Sequence, residues 1–115
     1  MWKVDFFEKE IERFLDLLSK KERAKVLRNI FLLERFGLGL REPNVKSLKI
    51  KKLKELRIIF SSKIFRFLFF HYQEKTLVIL HAFIKKTQKT PAKEIRIALE
   101  RMKQYRKNKG GADEL

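Results

Sequence analysis

Several features that identify common classes of protein are missing from this sequence. It contains no cysteine, which excludes disulfides and thiolate metal sites. Its apolar runs are far shorter than the roughly 20 residues that span a bilayer. Its first residues also lack the basic, apolar and small-residue order of a secretory signal. We therefore expect a cytoplasmic protein that does not associate with a membrane.

Most catalytic motifs are missing as well. The sequence has no glycine-rich phosphate loop, no cluster of metal ligands and no Ser-His-Asp pattern, so we expect neither a metal nor another cofactor. Its histidines are His71 and His81, and paired carboxylates are missing from the second part of the chain. An enzyme of this composition must work with arginine, lysine, a histidine, and threonine or glutamine side chains.

Acidic residues are few, and the charge is unevenly distributed. The chain carries 29 basic and 14 acidic side chains, a net charge of +15. Residues 1–45 hold 10 basic and 8 acidic side chains, whereas residues 46–115 hold 19 and 6. A surplus concentrated in this way indicates a polyanionic partner: nucleic acid first, an acidic protein second and a membrane surface third. A role in solubility alone is the alternative.

Hydrophobic residues, in contrast, are plentiful. They make up 44% of the chain, and eleven phenylalanines supply much of the core volume. A length of 115 residues fits a single domain. We assign residues 1–109 to this domain and residues 110–115 to a disordered tail.

The first part of the chain predicts a strand followed by a helical hairpin. Trp2 to Phe6 is a short apolar run that should join a sheet. Ser19 and Glu22 have the spacing of a capping box, so a second helix should begin at Lys20 and end at Gly37. The apolar residues at helical spacing are Ile11, Phe14, Leu15 and Leu18 in the first helix and Val26, Leu27, Ile30, Phe31 and Leu33 in the second. This apolar side should cover one face of the sheet.

The middle of the chain predicts a three-stranded meander. Runs rich in β-branched and aromatic residues span Leu53–Phe60, Ile64–Tyr72 and Thr76–Lys85, and short polar breaks separate them. The second run is apolar on both faces, which is typical of a central strand. The preceding segment, Leu38 to Ser47, should be irregular because it contains glycine and proline.

A last helix should follow the meander. Thr90 as the N-cap and Pro91 at the first helical position predict its start. Its inward stripe comprises Ile95, Ala98, Leu99, Met102 and Tyr105. The fold class is therefore α+β, with two N-terminal helices on an antiparallel sheet made of the meander and the N-terminal strand, and a C-terminal helix.

Two arginines in the meander are unusual. The first turn sets a register in which Arg57 lies opposite Arg66 on one face. Like charges in that position destabilise a sheet, so the pair suggests an anion site, and phosphate is the obvious anion. The alternative is that both side chains extend into solvent. In the third strand, a two-residue turn would place His81 opposite Arg66, and a three-residue turn would place Ala82 there.

These side chains suit one reaction, the cleavage of RNA by attack of its own 2′-OH on the adjacent phosphate. The charged phosphorane needs cations, and Arg57, Arg66, Lys85 and Lys86 are the candidates. A lysine crowded by other cations is one candidate for moving the proton, and His81 is another. The competing interpretation of His81 is a core histidine with satisfied hydrogen bonds.

Lysines cluster before and after the meander. We expect them to contact the phosphate backbone of RNA, and a solvated loop is the alternative. These candidate RNA-binding residues are Lys46, Lys49, Lys51, Lys52, Lys54 and Lys89.

The order and spacing of several short motifs point to a known family. The motifs are Val4-Asp5-Phe6-Phe7, Phe14-Leu15-Asp16, the Gly37 to Pro43 link before Lys46-Ser47-Leu48, Glu55-Leu56-Arg57-Ile58, Phe65-Arg66 and, most specific, Leu80-His81-Ala82-Phe83-Ile84-Lys85-Lys86-Thr87-Gln88-Lys89-Thr90-Pro91. Over residues 2–106 the chain resembles the RelE/HigB-type toxins of bacterial toxin–antitoxin pairs, in their branch of phage-derived small proteins.

The resemblance implies a function and a set of partners. It implies a ribosome-dependent mRNA endonuclease that stops translation, with a RelE-like fold. Arg57 and Arg66 match the family's basic sheet residues, and Lys86 with Lys85 matches its basic position after the last strand. Glu55 departs from the pattern, because some relatives have a lysine there.

The implied partners are mRNA on the ribosome and a cognate HigA-like antitoxin with a helix-turn-helix domain. This antitoxin would neutralise the toxin and carry it to operator DNA. Two other hypotheses stay open at this point. One is a ParE-like toxin that acts on DNA gyrase without cutting RNA, and the other is a plain nucleic-acid-binding module.

Overall fold

The apolar runs of the sequence assemble into one sheet with helices on both faces. The computed structural model describes residues 1–85 and 89–109. Within them the order is β1 (Lys3–Phe6), α1 (Lys9–Asp16), α2 (Lys20–Phe36), a 3-10 turn (Gly37–Gly39), β2 (Val45–Ser47), β3 (Lys54–Phe60), β4 (Lys63–Gln73), β5 (Thr76–Ile84) and α3 (Ala92–Lys109). The proposed tail, residues 110–115, lies outside the described residues. No helix in the described ranges is both long and apolar enough to cross a membrane.

The sheet separates two hydrophobic cores. Its strand order is β1-β5-β4-β3-β2, so β4 is central, as its two apolar faces predicted. One face packs against α1 and α2 through residues such as Val26, Leu33 and Phe67. The other packs against α3 through residues such as Phe70 and Met102. The predicted α+β class, with N-terminal helices, a sheet and a C-terminal helix, is confirmed.

The edges of the sheet differ from the prediction. β1 pairs in parallel with β5, with Lys3 beside Thr76, whereas β2 to β5 are antiparallel. The expectation of an irregular segment up to Ser47 was wrong, because Val45–Ser47 forms the edge strand β2. Val45 is buried opposite Leu56. Three residues are too few to show a strand's alternation in the sequence.

The junction between α1 and α2 forms as predicted, with α2 beginning at Lys20. The Ser19 hydroxyl accepts from the Glu22 N–H, and the Glu22 carboxylate accepts from the Ser19 N–H, which completes the capping box. The inward assignment of Leu27 and Phe31 was wrong, since both side chains are 47% exposed. The buried ridge of α2 runs instead through residues at i, i+4 and i+7, which are Val26, Ile30 and Leu33.

The C-terminal helix buries the predicted stripe, with Ala98, Met102 and Tyr105 fully inside. The Tyr105 hydroxyl donates to the Asp5 carboxylate at 3.0 Å, which ties α3 to the strand β1. Burial and this hydrogen bond raise the pKa of Tyr105 above its usual range, so the phenol stays protonated. The hydroxyl of Thr90, expected to cap the helix, donates to the Glu55 carboxylate.

The register between β4 and β5 was also wrong. Phe83, and neither His81 nor Ala82, lies opposite Arg66. Gln73 pairs with Thr76, so β4 is longer than expected and the turn shorter. Two irregularities, one between Leu68 and Phe69 and one between His71 and Gln73, shift the register in opposite directions and cancel. Such insertions leave no mark in an alternating pattern.

Gly37 ends α2 in a conformation that only glycine adopts easily, with φ 54° and ψ −127°. A Cβ there would lie 2.1 Å from the ring of Trp2. We expect Gly37→Ala to lower the free energy of unfolding by about 3 kcal/mol, through backbone strain and overpacking. Urea denaturation measures this. Gly39→Ala is the matched control, because nothing lies within 4 Å of its added Cβ, and equal effects of the two substitutions would contradict the explanation.

Glu22 also links α2 to the start of β4, since Lys63 Nζ lies 2.8 Å from its carboxylate. The hydrogen bonds from Lys63 and from the Ser19 N–H lower the pKa of Glu22 below its ordinary value of 4.5. This stabilisation is present above the unfolded pKa and is lost as pH falls through the lower folded pKa. Stability should therefore fall below about pH 4.5 less steeply in Glu22→Gln and Lys63→Met than in the wild type. Thermal melts between pH 3 and 6 test this, and parallel curves for all three proteins would refute it.

Candidate nucleic-acid interface

Two guanidinium-bearing residues face each other across β3 and β4, as the turn predicted. Arg57 pairs with Arg66 in the antiparallel register. The side chains share the sheet face that α3 covers, because Leu68 and Phe70 alternate with Arg66 along β4 and pack in the α3 core. Arg57 is half-buried, whereas Arg66 has no exposed surface. A phosphate in solution therefore meets Arg57 first.

The buried Arg66 has an acidic neighbour. Its Nη1 lies 3.9 Å from Oε1 of Glu55, whose side chain is only 1% exposed. Burial lowers the pKa of Arg66, the negative charge of Glu55 opposes this, and the positive charge of Arg57 adds to it. Arginine nevertheless stays protonated in proteins. A full positive charge thus lies beneath this face of the sheet.

Glu55 connects three parts of the chain. It stands two residues before Arg57 in β3, so both side chains lie on the same face. Its carboxylate accepts a hydrogen bond from Thr90, just before α3, and lies beside Arg66 of β4. Sequence reasoning recorded Glu55 only as a departure from the family pattern. The available signal was a carboxylate in a largely apolar strand next to an arginine, since buried acids need partners.

The predicted proton carrier His81 is held by an acidic residue of α3. His81 Nε2 lies 2.7 Å from Glu94 Oε1, and both side chains are mostly buried. The imidazole stacks on Phe83, with 5.3 Å between ring centroids, and Phe83 is the residue opposite Arg66. His81 faces the same side of the sheet as Leu68, its register partner. Sequence reasoning missed Glu94, although it lies one turn before the inward Ala98.

The lysines before the meander are divided between the two faces. Lys46 pairs with Glu55 and so lies on the arginine face, exposed to solvent. Lys54 pairs with Phe69 and lies on the opposite face. Between them, the turn from β2 to β3 exposes three lysines in the left-handed backbone region, with φ of 58°, 47° and 62° at Lys49, Lys51 and Lys52.

Two of the three candidate lysines after the meander, Lys85 and Lys89, are among the residues that the structure describes. Lys85 is exposed, and its N–H donates to the Ile64 carbonyl at 3.2 Å, so it extends the β4–β5 ladder by one residue. Lys89 is exposed before α3. Lys86 lies outside the described residues. In residues 1–85 and 89–109, no group of three or more His, Asp or Glu side chains is placed to hold a metal ion.

This arrangement is suited to phosphate chemistry. Facing guanidinium groups match the geometry and charge of phosphate oxygens. An imidazole oriented by a carboxylate on the same face is a suitable proton carrier. Together with exposed lysines at one end of the sheet, these residues define a small basic α+β domain with a cationic sheet face.

A comparison with protein families places the chain more narrowly. A model for phage-derived Gp49-like proteins matches residues 13–103, a span that includes the arginine pair, His81 and Glu94. The chain belongs to this Gp49-like family. The family is associated with the toxins of toxin–antitoxin systems. Membership of such a family suggests that the chain has an antitoxin partner. No curated protein matches the chain.

Removing Glu55 should destabilise the protein, because a buried arginine would lose its carboxylate neighbour. We expect Glu55→Ala to lower the free energy of unfolding by about 3 kcal/mol. Glu55→Gln should cost less, because its amide oxygen can still accept from Thr90. Urea denaturation distinguishes them, and Glu12→Ala, which removes an exposed carboxylate of α1, is the control. A Glu55→Ala protein as stable as this control would disprove the assignment.

Proposed function

We propose that this chain is the toxin of a type II toxin–antitoxin system and that it cleaves mRNA on the ribosome without a metal ion. The observation that carries the proposal is the facing pair of Arg57 and Arg66 beside the His81–Glu94 pair, on one face of the sheet. Membership of the Gp49-like family supports it. So does the concentration of positive charge in residues 46–115.

The proposed reaction uses the RNA's own 2′-hydroxyl as the nucleophile. A base removes the 2′ proton, the 2′ oxygen attacks the adjacent phosphorus, and a phosphorane forms. The bond from phosphorus to the 5′ oxygen then breaks, and that oxygen takes up a proton. The products are a 2′,3′-cyclic phosphate and a 5′-hydroxyl. DNA lacks the 2′-hydroxyl and is not cut.

Each candidate residue has a role in this scheme. Arg57 contacts the scissile phosphate, and Arg66 adds its charge from below the surface as a positioning residue. Lys85 and Lys86 stabilise the phosphorane. His81, oriented by Glu94, moves the proton, with a crowded lysine as the competing candidate. The RNA backbone is held by Lys46, Lys49, Lys51, Lys52 and Lys89. Lys54, also predicted to bind RNA, lies on the opposite face of the sheet and has no role in this scheme.

The cellular setting follows from the same proposal. The toxin acts in the cytoplasm on mRNA bound to the ribosome. A cognate HigA-like antitoxin with a helix-turn-helix domain neutralises it, and through that antitoxin the pair binds operator DNA.

Loss of the half-buried Arg57 should remove toxicity and leave the fold intact. Expression of the wild type should arrest bacterial growth and cut transcripts on translating ribosomes. Arg57→Ala should reduce the cleavage rate by about 10²-fold, because a stabilising cation is removed from the transition state. Primer extension on purified translating ribosomes measures the rate. Arg28→Ala, an exposed arginine of α2 on the other side of the sheet, should cut normally.

Three outcomes would count against the proposal. Full toxicity of a folded Arg57→Ala protein would reject the site. Products that end in a 3′-hydroxyl and a 5′-phosphate, in place of a 2′,3′-cyclic phosphate and a 5′-hydroxyl, would reject the reaction through the 2′-hydroxyl. Intact transcripts together with DNA-damage signalling in arrested cells would indicate a gyrase-directed toxin. His81→Gln separates the proton carriers: an unchanged pH–rate profile would assign proton transfer to a lysine.

A further inference from the structure

The arginine face of the sheet carries side chains in rows that cross β3, β4 and β5. Successive rows lie about 7 Å apart along the strands. In order, the rows are Glu55, Leu68 and His81, then Arg57, Arg66 and Phe83, then Ile59, Ile64 and Lys85. The first two rows hold the arginine pair and the histidine of the candidate site. In the third row, the two isoleucines have no role in the reaction proposed above.

The C-terminal helix leaves this third row uncovered. α3 starts over the first row, where Glu94 meets His81. It then runs towards the other end of β4, where Tyr105 packs against Phe70 with 6.2 Å between ring centroids. The third row lies on the opposite side of the arginines from Phe70, because β4 passes through Ile64 first. Ile59 is consequently 56% exposed, although it lies on the sheet face that α3 covers elsewhere.

Cations lie on two sides of this exposed apolar residue. Arg57 precedes Ile59 by two residues on the same face, and the exposed Lys85 ends the same row. This combination matches one nucleotide of an RNA strand, whose base has an apolar face and whose backbone charges lie beside it. A protein partner would need about 800 Å² of buried surface on this side, which one exposed isoleucine between cations does not provide.

We infer that Ile59 is a specificity-determining residue, which contacts the face of the nucleobase next to the cleaved bond. This assignment rests on the proposed function, because Arg57 must hold the scissile phosphate for that base to reach the third row. An isoleucine side chain has no hydrogen-bond donor or acceptor, so the contact responds to the size of the base and not to its edge. A purine, which has the larger face, is therefore preferred over a pyrimidine at this position.

Binding of short RNAs that cannot be cut tests the base contact directly. Fluorescein-labelled tetranucleotides of adenylate and of uridylate, with 2′-O-methyl ribose throughout, carry the same phosphates and lack the attacking hydroxyl. Fluorescence anisotropy should show the adenylate binding about fivefold more tightly than the uridylate. Ile59→Ala should remove this difference by weakening the adenylate. Arg57→Ala should weaken both RNAs by a similar factor, because it removes a phosphate contact.

Cleavage on translating ribosomes gives the second measurement. The wild type should favour a purine at a nucleotide that flanks the cut, and Ile59→Ala should lose about fivefold in kcat/KM at those sites. Ile84→Ala is the matched control, because Ile84 is also exposed but pairs with Phe65 of the α1–α2 core and so lies on the other face. It should cut and bind like the wild type. Ile59→Leu, which keeps an apolar side chain, should retain the purine preference.

The outcomes separate this assignment from the proposed function. An unchanged adenylate affinity in folded Ile59→Ala, beside lost cleavage in Arg57→Ala, would refute the base contact and leave the proposed site intact. Equal losses in Ile59→Ala and Ile84→Ala would also refute it, because the effect would not depend on the arginine face. A wild type that cuts no RNA would reject the proposed function, and the tetranucleotide comparison would still decide whether Ile59 contacts a base. Ile59→Thr, which keeps the β-branched shape that strands favour, serves where Ile59→Ala does not fold.

Discussion

A charged arginine without exposed surface on the central strand constrains the rest of this structure. Removing a guanidinium group from water costs several kcal/mol unless nearby charges and hydrogen bonds offset it. Here Glu55 of the neighbouring strand lies beside Arg66, and Thr90 donates to the same carboxylate. The start of α3 is thereby fixed over the sheet, and the first turn of that helix brings Glu94 to His81. The geometry of the candidate site thus depends on compensating one buried charge.

The sequence was most informative where interactions are local. The turn after β3 determined that Arg57 faces Arg66, and the Ser19–Glu22 spacing located the start of α2, because neighbours in the chain decide both. The partner supplied by Glu94 was missed because it depends on how α3 packs on the sheet. Glu55 lies beside Arg66 on the neighbouring strand, so its contact follows from the β3–β4 register. The position of Phe83 opposite Arg66 depends on β4 extending to Gln73, with a two-residue turn at Glu74 and Lys75, and no alternation pattern records where that turn begins. Leu27 and Phe31 share the helical spacing of core residues, and only the packing of α1 beside α2 shows that they stay at the surface.

The sheet also separates two surfaces of different chemistry. The face covered by α3 collects arginines, a paired histidine and, at its edge, Lys46. The face covered by α1 and α2 is apolar, and a groove between these two helices is lined by three carboxylates and one arginine. In residues 1–45, 8 acidic side chains nearly balance 10 basic ones. In residues 46–115, 6 acidic side chains leave most of the 19 basic ones unbalanced. A single small domain thus has two surfaces of opposite charge.

The parallel pairing of β1 with β5 has a consequence for biosynthesis. The strand made first, Lys3–Phe6, has its partner at Thr76–Ile79, so most of the polypeptide must emerge before that edge can close. Contacts between distant positions form late and slow the search for the native state. The α3 segment, which carries Glu94 and Tyr105, emerges later still. A nascent chain consequently lacks the assembled cationic face while it is attached to the ribosome that makes it.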